Sequence, residues 1–196
     1  STIRSASQLL NRRPSDMTLG LWRSLLYVPA DKPRAIEKSR GLAADAIILD
    51  LEDTVAPEHK AFARENVQSA VQSGGWKVPV LLRVGAASTP ELAEDCKLAV
   101  QRGLWRLVVP KVESVESLRE LEASFEDSSR LELWPMIETP GGVLNAAAIA
   151  AEKQVAGLLV GANDLARALR IRESSSITPQ QGATSWPRLP LLYALS

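Results

Sequence analysis

Cysteine and histidine are almost missing from this chain, which has one of each, Cys96 and His59, in 196 residues. A lone cysteine excludes an intrachain disulfide and a thiolate metal cluster, and it fits a cytosolic setting. A lone histidine would have to serve any Ser-His-Asp arrangement, and its place at the opening of an expected helix does not suggest one. Net charge is missing too, because 23 basic side chains balance 23 acidic ones. Dedicated nucleic-acid binders carry a positive field, so no nucleic-acid partner is expected. The longest apolar stretches, such as Ala46–Leu49 and Val155–Val160, are strand-sized. No run reaches the 18 or so residues of a membrane span, and no membrane contact is expected. The glycines match neither a dinucleotide-binding loop nor a P-loop. The five tryptophans are scattered and form no stacking ladder.

The length suits one well-packed domain. Residues 1–21 carry Arg4, Arg12 and Arg13 with Asp16 as their one acid, and lack the apolar core of a secretory signal. They are expected to be a flexible lead-in or the remnant of an organelle-targeting segment. Residues 22–196 are expected to form a single βα domain.

Within that domain short apolar runs alternate with amphipathic stretches. Strands are expected at Ser24–Val28, Ala46–Asp50, Pro79–Val84, Arg106–Val109, Leu131–Ile137 and Val155–Val160. Their near-continuous apolar character suits a parallel sheet buried on both faces. Helices are expected at Pro33–Arg40, Pro57–Ser73, Pro90–Gln101 and Val115–Ser124, from Pro140, and from Asn163 or Asp164 to Ala168. In the second of these, Phe62, Val67, Ala70 and Val71 should share the apolar side. Six β-then-α units imply an α/β fold with right-handed crossovers.

Asp50, Arg83, Lys111, Glu138 and Asp164 each fall at or just beyond the end of a different strand. In a barrel such ends converge on one mouth, whereas an open doubly wound sheet gathers its site at one switch point. The pattern favours the barrel, incomplete here, since a closed (βα)8 barrel needs eight strands. After Arg170 a Ser-, Pro- and Gly-containing loop leads to an apolar segment, Leu189–Leu195, expected to begin a helix.

Glu138 and Asp164 end neighbouring strands, which in a parallel sheet lie about 4.8 Å apart. Their carboxylates can converge on one hard cation, and with no histidine or cysteine beside them the donors suit magnesium, or manganese in its place, over zinc. The alternative is that both merely cap helix starts. Asp50-Leu-Glu-Asp53 sets three carboxylates within four residues. Such charges repel unless paired, metal-linked or solvated, so Glu52 and Asp53 are either a solvated turn or acid–base groups at a substrate. Arg83 either grips a substrate carboxylate in a two-pronged contact or pairs with a neighbouring acid. Arg23 and Lys32 flank the first strand and its loop, and each, like Lys111, could serve phosphate groups or sit in solvent.

Taken together, Arg23-Ser-Leu-Leu-Tyr-Val-Pro-Ala30, Asp45-Ala-Ile-Ile-Leu-Asp-Leu-Glu-Asp-Thr-Val55 with Lys60 and Ala63-Arg64, Leu82-Arg83-Val84, Val109-Pro-Lys-Val-Glu113, Ile137-Glu-Thr-Pro-Gly-Gly-Val-Leu-Asn-Ala146 and Gly161-Ala-Asn-Asp-Leu165 resemble the citrate lyase beta-subunit family. That family belongs with the HpcH/HpaI aldolases, and the resemblance covers about Trp22 to Leu169. It implies a TIM barrel of the phosphoenolpyruvate/pyruvate type with magnesium on Glu138 and Asp164. It further implies Arg83 on a substrate carboxylate, with Glu138 beside that fragment, Arg23 and Lys32 toward the nucleotide of a coenzyme A thioester, and Glu52 and Asp53 in the acidic network around the metal. A homo-oligomer, a trimer or hexamer, is the implied assembly. The resemblance is incomplete: Asn163 stands where glutamate is common, Val84-Gly85-Ala86-Ala87 replaces a longer loop, and the late glycine-lysine and histidine-proline segments are absent.

The activity implied is magnesium-dependent carbon–carbon cleavage of a 3-hydroxyacyl thioester of the citryl-CoA or malyl-CoA type, giving acetyl-CoA and a 2-oxo acid. Arg83 would orient the acid fragment, and Asp53 or Glu52 would act as base directly or through water. The alternatives are an aldolase or thioesterase on a related acid, and a catalytically silent binding partner.

Overall fold

Six apolar runs become parallel strands: Leu25–Pro29 (β1), Ala46–Asp50 (β2), Val80–Arg83 (β3), Arg106–Val109 (β4), Glu132–Ile137 (β5) and Leu159–Val160 (β6). The computed structural model describes Trp22–Arg170 apart from Ser88. The expected lead-in at 1–21 and the expected helix from Leu189 lie outside the described residues. The helices between and after the strands are Pro33–Ser39 (α1), Lys60–Ser73 (α2), Glu91–Arg102 (α3), Val115–Ala123 (α4), Pro140–Ala150 (α5) and Ala162–Ala168 (α6).

Each strand pairs with the next in sequence, in the order β1-β2-β3-β4-β5-β6, with no reversal. A doubly wound sheet reverses its order and carries helices on both faces. Among the described residues the helices pack on one face only. Ile47, Leu49 and Leu82 meet Ile36, Val67, Leu98, Leu118 and Ile149 in the larger core cluster. The opposite face, with Ala46, Ile48, Leu81, Val108, Trp134 and Met136, forms a second cluster without any helix residue. Sequential strands, one-sided helices and an inner face packed on itself are the attributes of a barrel wall. Six of its strands lie within the described residues. Trp22 stacks on Trp134 inside, with ring centroids 4.9 Å apart, and Arg106 pairs with Glu132 nearby at 2.9 Å.

Two expectations need correction. Phe62 is 47% exposed rather than part of the apolar side of α2. A 3₁₀ turn at Pro57–His59 precedes the α-helix, which then buries Ala63, Val67, Ala70 and Val71. That i, i+4, i+7, i+8 stripe turns Phe62 outward. The sixth strand is also much shorter than Val155–Val160. Leu133 bridges Val155 and Met136 pairs with Leu159, so a three-residue step on β5 faces a four-residue step opposite. The extra residue is a bulge. It passes the Trp134 ring at Gly157, where an added Cβ would come within 2.7 Å of the indole.

Candidate functional site

Register builds the first half of the site. Asp50, the last residue of β2, lies directly opposite Arg83, the last of β3. The guanidinium grips the carboxylate in two prongs, Nε to Oδ1 at 2.7 Å and Nη2 to Oδ2 at 2.6 Å. The Thr54 hydroxyl donates to Oδ2 at 2.6 Å and the Glu52 amide to Oδ1 at 2.8 Å. Burial pushes the Asp50 carboxyl up, but the Arg83 contacts with those of Thr54 and Glu52 outweigh it, holding the group below the usual carboxylate range. Tyr27 lies beneath the Arg83 guanidinium, 5.1 Å from the ring centre. Arg83 is thus committed chiefly to Asp50. Its Nη1 stands 3.3 Å from Glu52 and 3.8 Å from the Met136 sulfur.

Lys111 joins the halves. Its Nζ meets Glu52 Oε1 at 2.7 Å and Asp53 Oδ1 at 3.5 Å, while its backbone N–H donates to Glu138 Oε1 at 2.8 Å. The residue holds φ at 55°, the left-handed region that a side chain disfavours. Glu52 is buried, whereas the Asp53 side chain is half exposed. Burial raises the Glu52 carboxyl, and the Lys111 hydrogen bond opposes that.

Glu138 follows β5 and is 1% exposed. Neither it nor Asp164 is a helix cap. Thr139 caps α5, accepting from the Gly142 amide at 3.1 Å, and Gly161 occupies the cap position of α6, with Asp164 in the first turn. Burial drives the Glu138 carboxyl up to about 7, with the charges of Asp164 and Glu52 adding to the rise and the Lys111 amide and ammonium opposing it. Its Oε2 is buried and has no hydrogen-bond donor among the described residues. A buried carboxylate oxygen without a partner is costly. Asp164 accepts from Arg167 at 2.9 Å, an i, i+3 pair whose arginine is largely exposed and which therefore constrains the carboxylate weakly. One orphaned carboxylate oxygen beside a second carboxylate, both hard donors, fits a divalent cation of the magnesium kind, which commonly takes one or two protein carboxylates. No group of three or more acids, histidines and cysteines suited to a metal occurs among the described residues.

Gly161 makes room for this arrangement. A Cβ there would fall 2.3 Å from Glu138 Oε2 and 2.6 Å from its Cβ. The backbone at Gly161 has φ of −87°, so the need is space and not conformation. Gly161→Ala is therefore expected to push the Glu138 carboxylate aside and weaken Mn2+ binding on the order of 10- to 100-fold. A calorimetric titration beside the wild type checks this.

The loops that carry these groups are tied to α2. Lys60 donates to the Glu52 carbonyl at 2.7 Å and to that of Leu51. Arg64, one turn on, meets Asp95 at 2.7 Å, and Asp95 accepts from the Gly85 amide at 2.8 Å, just beyond Arg83.

The structure therefore brings Arg83, Glu52, Asp53, Glu138 and Asp164 to one end of the sheet. Lys32 sits at the same end after β1, 62% exposed, paired with Asp31 at 2.7 Å. Arg23 is not brought there. It precedes β1, its amide bonded to Asp45, and at about 3.3 Å per strand residue it lies roughly 20 Å from the Asp50 level. A strand carries its two flanks to opposite ends of a sheet, which separates Arg23 from the mouth. Sequence reasoning places Asp50 and Lys111 at strand ends without finding their partners, and it names Gly161 only as part of a motif, with no role of its own. For Lys111 the bend that makes it a double donor is not visible in composition. Cys96 is buried, its thiol pushed up to about 12, and does not serve as a thiolate.

Residues 23–185 match the family model described as HpcH/HpaI aldolase/citrate lyase. The chain belongs to this family. Among curated relatives, a (3S)-malyl-CoA thioesterase of Cereibacter sphaeroides is 40% identical over 152 residues, covering 77% of this chain and 52% of that protein. This HpcH/HpaI chain thus spans about half the length of the curated relatives it matches. Among solved structures, the citrate lyase beta subunit from M. tuberculosis complexed with oxaloacetate and magnesium is 27% identical with a TM-score of 0.67, covering 96% of this chain and 74% of that one. Protein CitE from Mycobacterium tuberculosis in complex with magnesium, acetoacetate and coenzyme A is 28% identical with a TM-score of 0.70, covering 89% and 61%. No described helix is long and apolar enough to cross a membrane.

Proposed function

We propose that this chain acts on the coenzyme A thioester of a 3-hydroxy dicarboxylic acid of the malyl type, hydrolysing the thioester at a magnesium site formed by Glu138 and Asp164. The observation that carries the reading is the donor-free, buried Oε2 of Glu138 beside the Asp164 charge. The choice of thioester hydrolysis over carbon–carbon cleavage, the main expectation from sequence, is supported by the 40% identity to a protein named as a malyl-CoA thioesterase. Cleavage is kept as the second reading, because the matching solved structures hold oxaloacetate or acetoacetate with magnesium.

When bound, the cation supplies charge compensation and polarises a substrate oxygen. The chain's own groups do the rest. Glu138 and Asp164 offer oxygens from neighbouring strand ends. Arg83, its Nε and Nη2 locked by Asp50, has only Nη1, 3.3 Å from Glu52 Oε2, left to orient a substrate carboxylate. Asp53, the half-exposed acid of the pair, positions the attacking water and receives its proton, a role that Glu52 between Arg83 and Lys111 is less free to take. Lys32 at the rim suits the phosphate end of the thioester. In hydrolysis the water oxygen bonds to the thioester carbon, the C–S bond breaks, and the thiolate leaves as coenzyme A thiol with the proton.

The test is product analysis with malyl-CoA and the full chain, with magnesium and with EDTA. Free thiol and malate in equal amounts, only with magnesium, are expected. Acetyl-CoA and glyoxylate instead would establish the second reading, and neither product pair would overturn both.

A further inference from the structure

We infer that Lys111 keeps Glu52 away from the divalent cation, so that the site stays a two-carboxylate one with coordination positions left for substrate. The inference rests on the magnesium reading above. Four carboxylates, those of Glu52, Asp53, Glu138 and Asp164, are gathered at one mouth, and the charges of Glu52 and Asp164 both act on Glu138. As placed, no three of these acids among the described residues converge on one cation, but affinity for a hard cation rises with the number of charged oxygens offered, so Glu52 released toward Glu138 would add a third carboxylate. Such a site binds metal well and substrate badly.

The geometry shows what restrains it. Glu52 Oε1 is taken by Lys111 Nζ at 2.7 Å and Oε2 faces Arg83 Nη1 at 3.3 Å, so both oxygens already have cationic partners. Glu138 Oε1 is taken by the Lys111 amide, which leaves Oε2 as the free donor. Lys111 therefore holds one oxygen of each acid, Glu52 Oε1 through its ammonium and Glu138 Oε1 through its amide, while Glu52 Oε2 is held separately by Arg83 and by the Asp53 amide at 2.9 Å. The backbone bears a cost for it, because φ at Lys111 is 55°. Glycine would hold that turn with less strain and keep the N–H, so what lysine adds at this position is its ammonium. Lys111 is a positioning residue, acting through Glu52 and Glu138.

The test separates side chain from backbone. Lys111→Gly keeps the amide donor and the left-handed turn while removing the ammonium, and Lys111→Met removes the charge at unchanged backbone strain. With the full chain, Mn2+ affinity is read by paramagnetic resonance titration, and melting in EDTA confirms folding. The expected result is tighter Mn2+ binding in both variants, on the order of ten-fold. Turnover of malyl-CoA should fall, with Lys111→Arg restoring wild-type behaviour. Adding Glu52→Gln to Lys111→Gly should return Mn2+ affinity to within about two-fold of wild type, because the recruited ligand is gone. Mn2+ binding that is unchanged or weakened in the folded Lys111 variants, or a tightening that Glu52→Gln does not reverse, overturns this inference and leaves the metal reading standing. Failure of the wild-type chain to bind Mn2+ overturns both.

Discussion

Replacing Glu138 with glutamine is expected to stabilise the metal-free protein while removing its activity. The wild-type carboxylate is buried, and one of its oxygens has no donor. Its carboxyl is raised from the ordinary 4.5 to about 7, so between those values the folded chain holds a proton that the unfolded chain has released. Stability must then fall as pH rises through that window. Each tenfold change in proton affinity corresponds to about 1.4 kcal/mol, which bounds the gain from neutralisation at about 3 kcal/mol. The buried amide that replaces the charge carries its own desolvation cost, leaving about 1–2 kcal/mol. Melting in EDTA should show Glu138→Gln several degrees above wild type at pH 8 and level with it near pH 4.5. Magnesium should raise the wild-type midpoint and leave the variant's unchanged. Turnover should drop on the order of 1,000-fold, since loss of the groups behind a metal ligand alone costs about 10- to 100-fold. A variant that melts lower than wild type at pH 8, or that still responds to magnesium, would contradict the assignment of Glu138.

The second large effect falls on the Arg83–Asp50 pair. Asp50 is fully buried, and Arg83 supplies both of its charged contacts. Arg83→Met leaves that carboxylate buried without its cation, a loss of about 3–5 kcal/mol. Substrate turnover should be lost with it. The pH dependence gives the sharper signature. In the wild type Asp50 is held below the usual range, so its contribution is present above the ordinary aspartate value and is lost as acid protonates the folded form. Without Arg83, burial is opposed only by the Thr54 hydroxyl and the Glu52 amide, so the carboxyl rises relative to wild type and the variant should gain relative stability on acidification. Arg83→Met combined with Asp50→Asn should recover much of the loss, because the uncompensated charge is then gone. Equilibrium denaturation of the three variants at pH 5 and pH 8 measures all of this, and equal pH slopes for wild type and Arg83→Met would refute it.

What could be read in advance follows from how local the cause is. Strand identity depends on short apolar runs, and β2 and β4 lie where those runs stand. The place of Glu138 at a strand end follows from the apolar run before it, whereas Asp164 stands four residues beyond its strand, in the first turn of α6. The Arg83 partner was not, because register across two strands is a tertiary matter and only pairing places Asp50 opposite it. The bulge before β6 sets Gly157 against the ring of Trp134, a neighbour more than twenty residues earlier that no local pattern reveals. The double role of Lys111 depends on one dihedral angle, which a lysine in sequence does not announce.

The hold of α2 on two loops has a mechanical result. Lys60 and Arg64 stand one turn apart on a single rigid rod, one fastened to the carbonyls at Leu51 and Glu52, the other through Asp95 to the amide of Gly85. The acid and the guanidinium at the mouth consequently cannot travel independently. The two loops thus share one support, so a change that loosened α2 would be felt by the acid and the guanidinium alike.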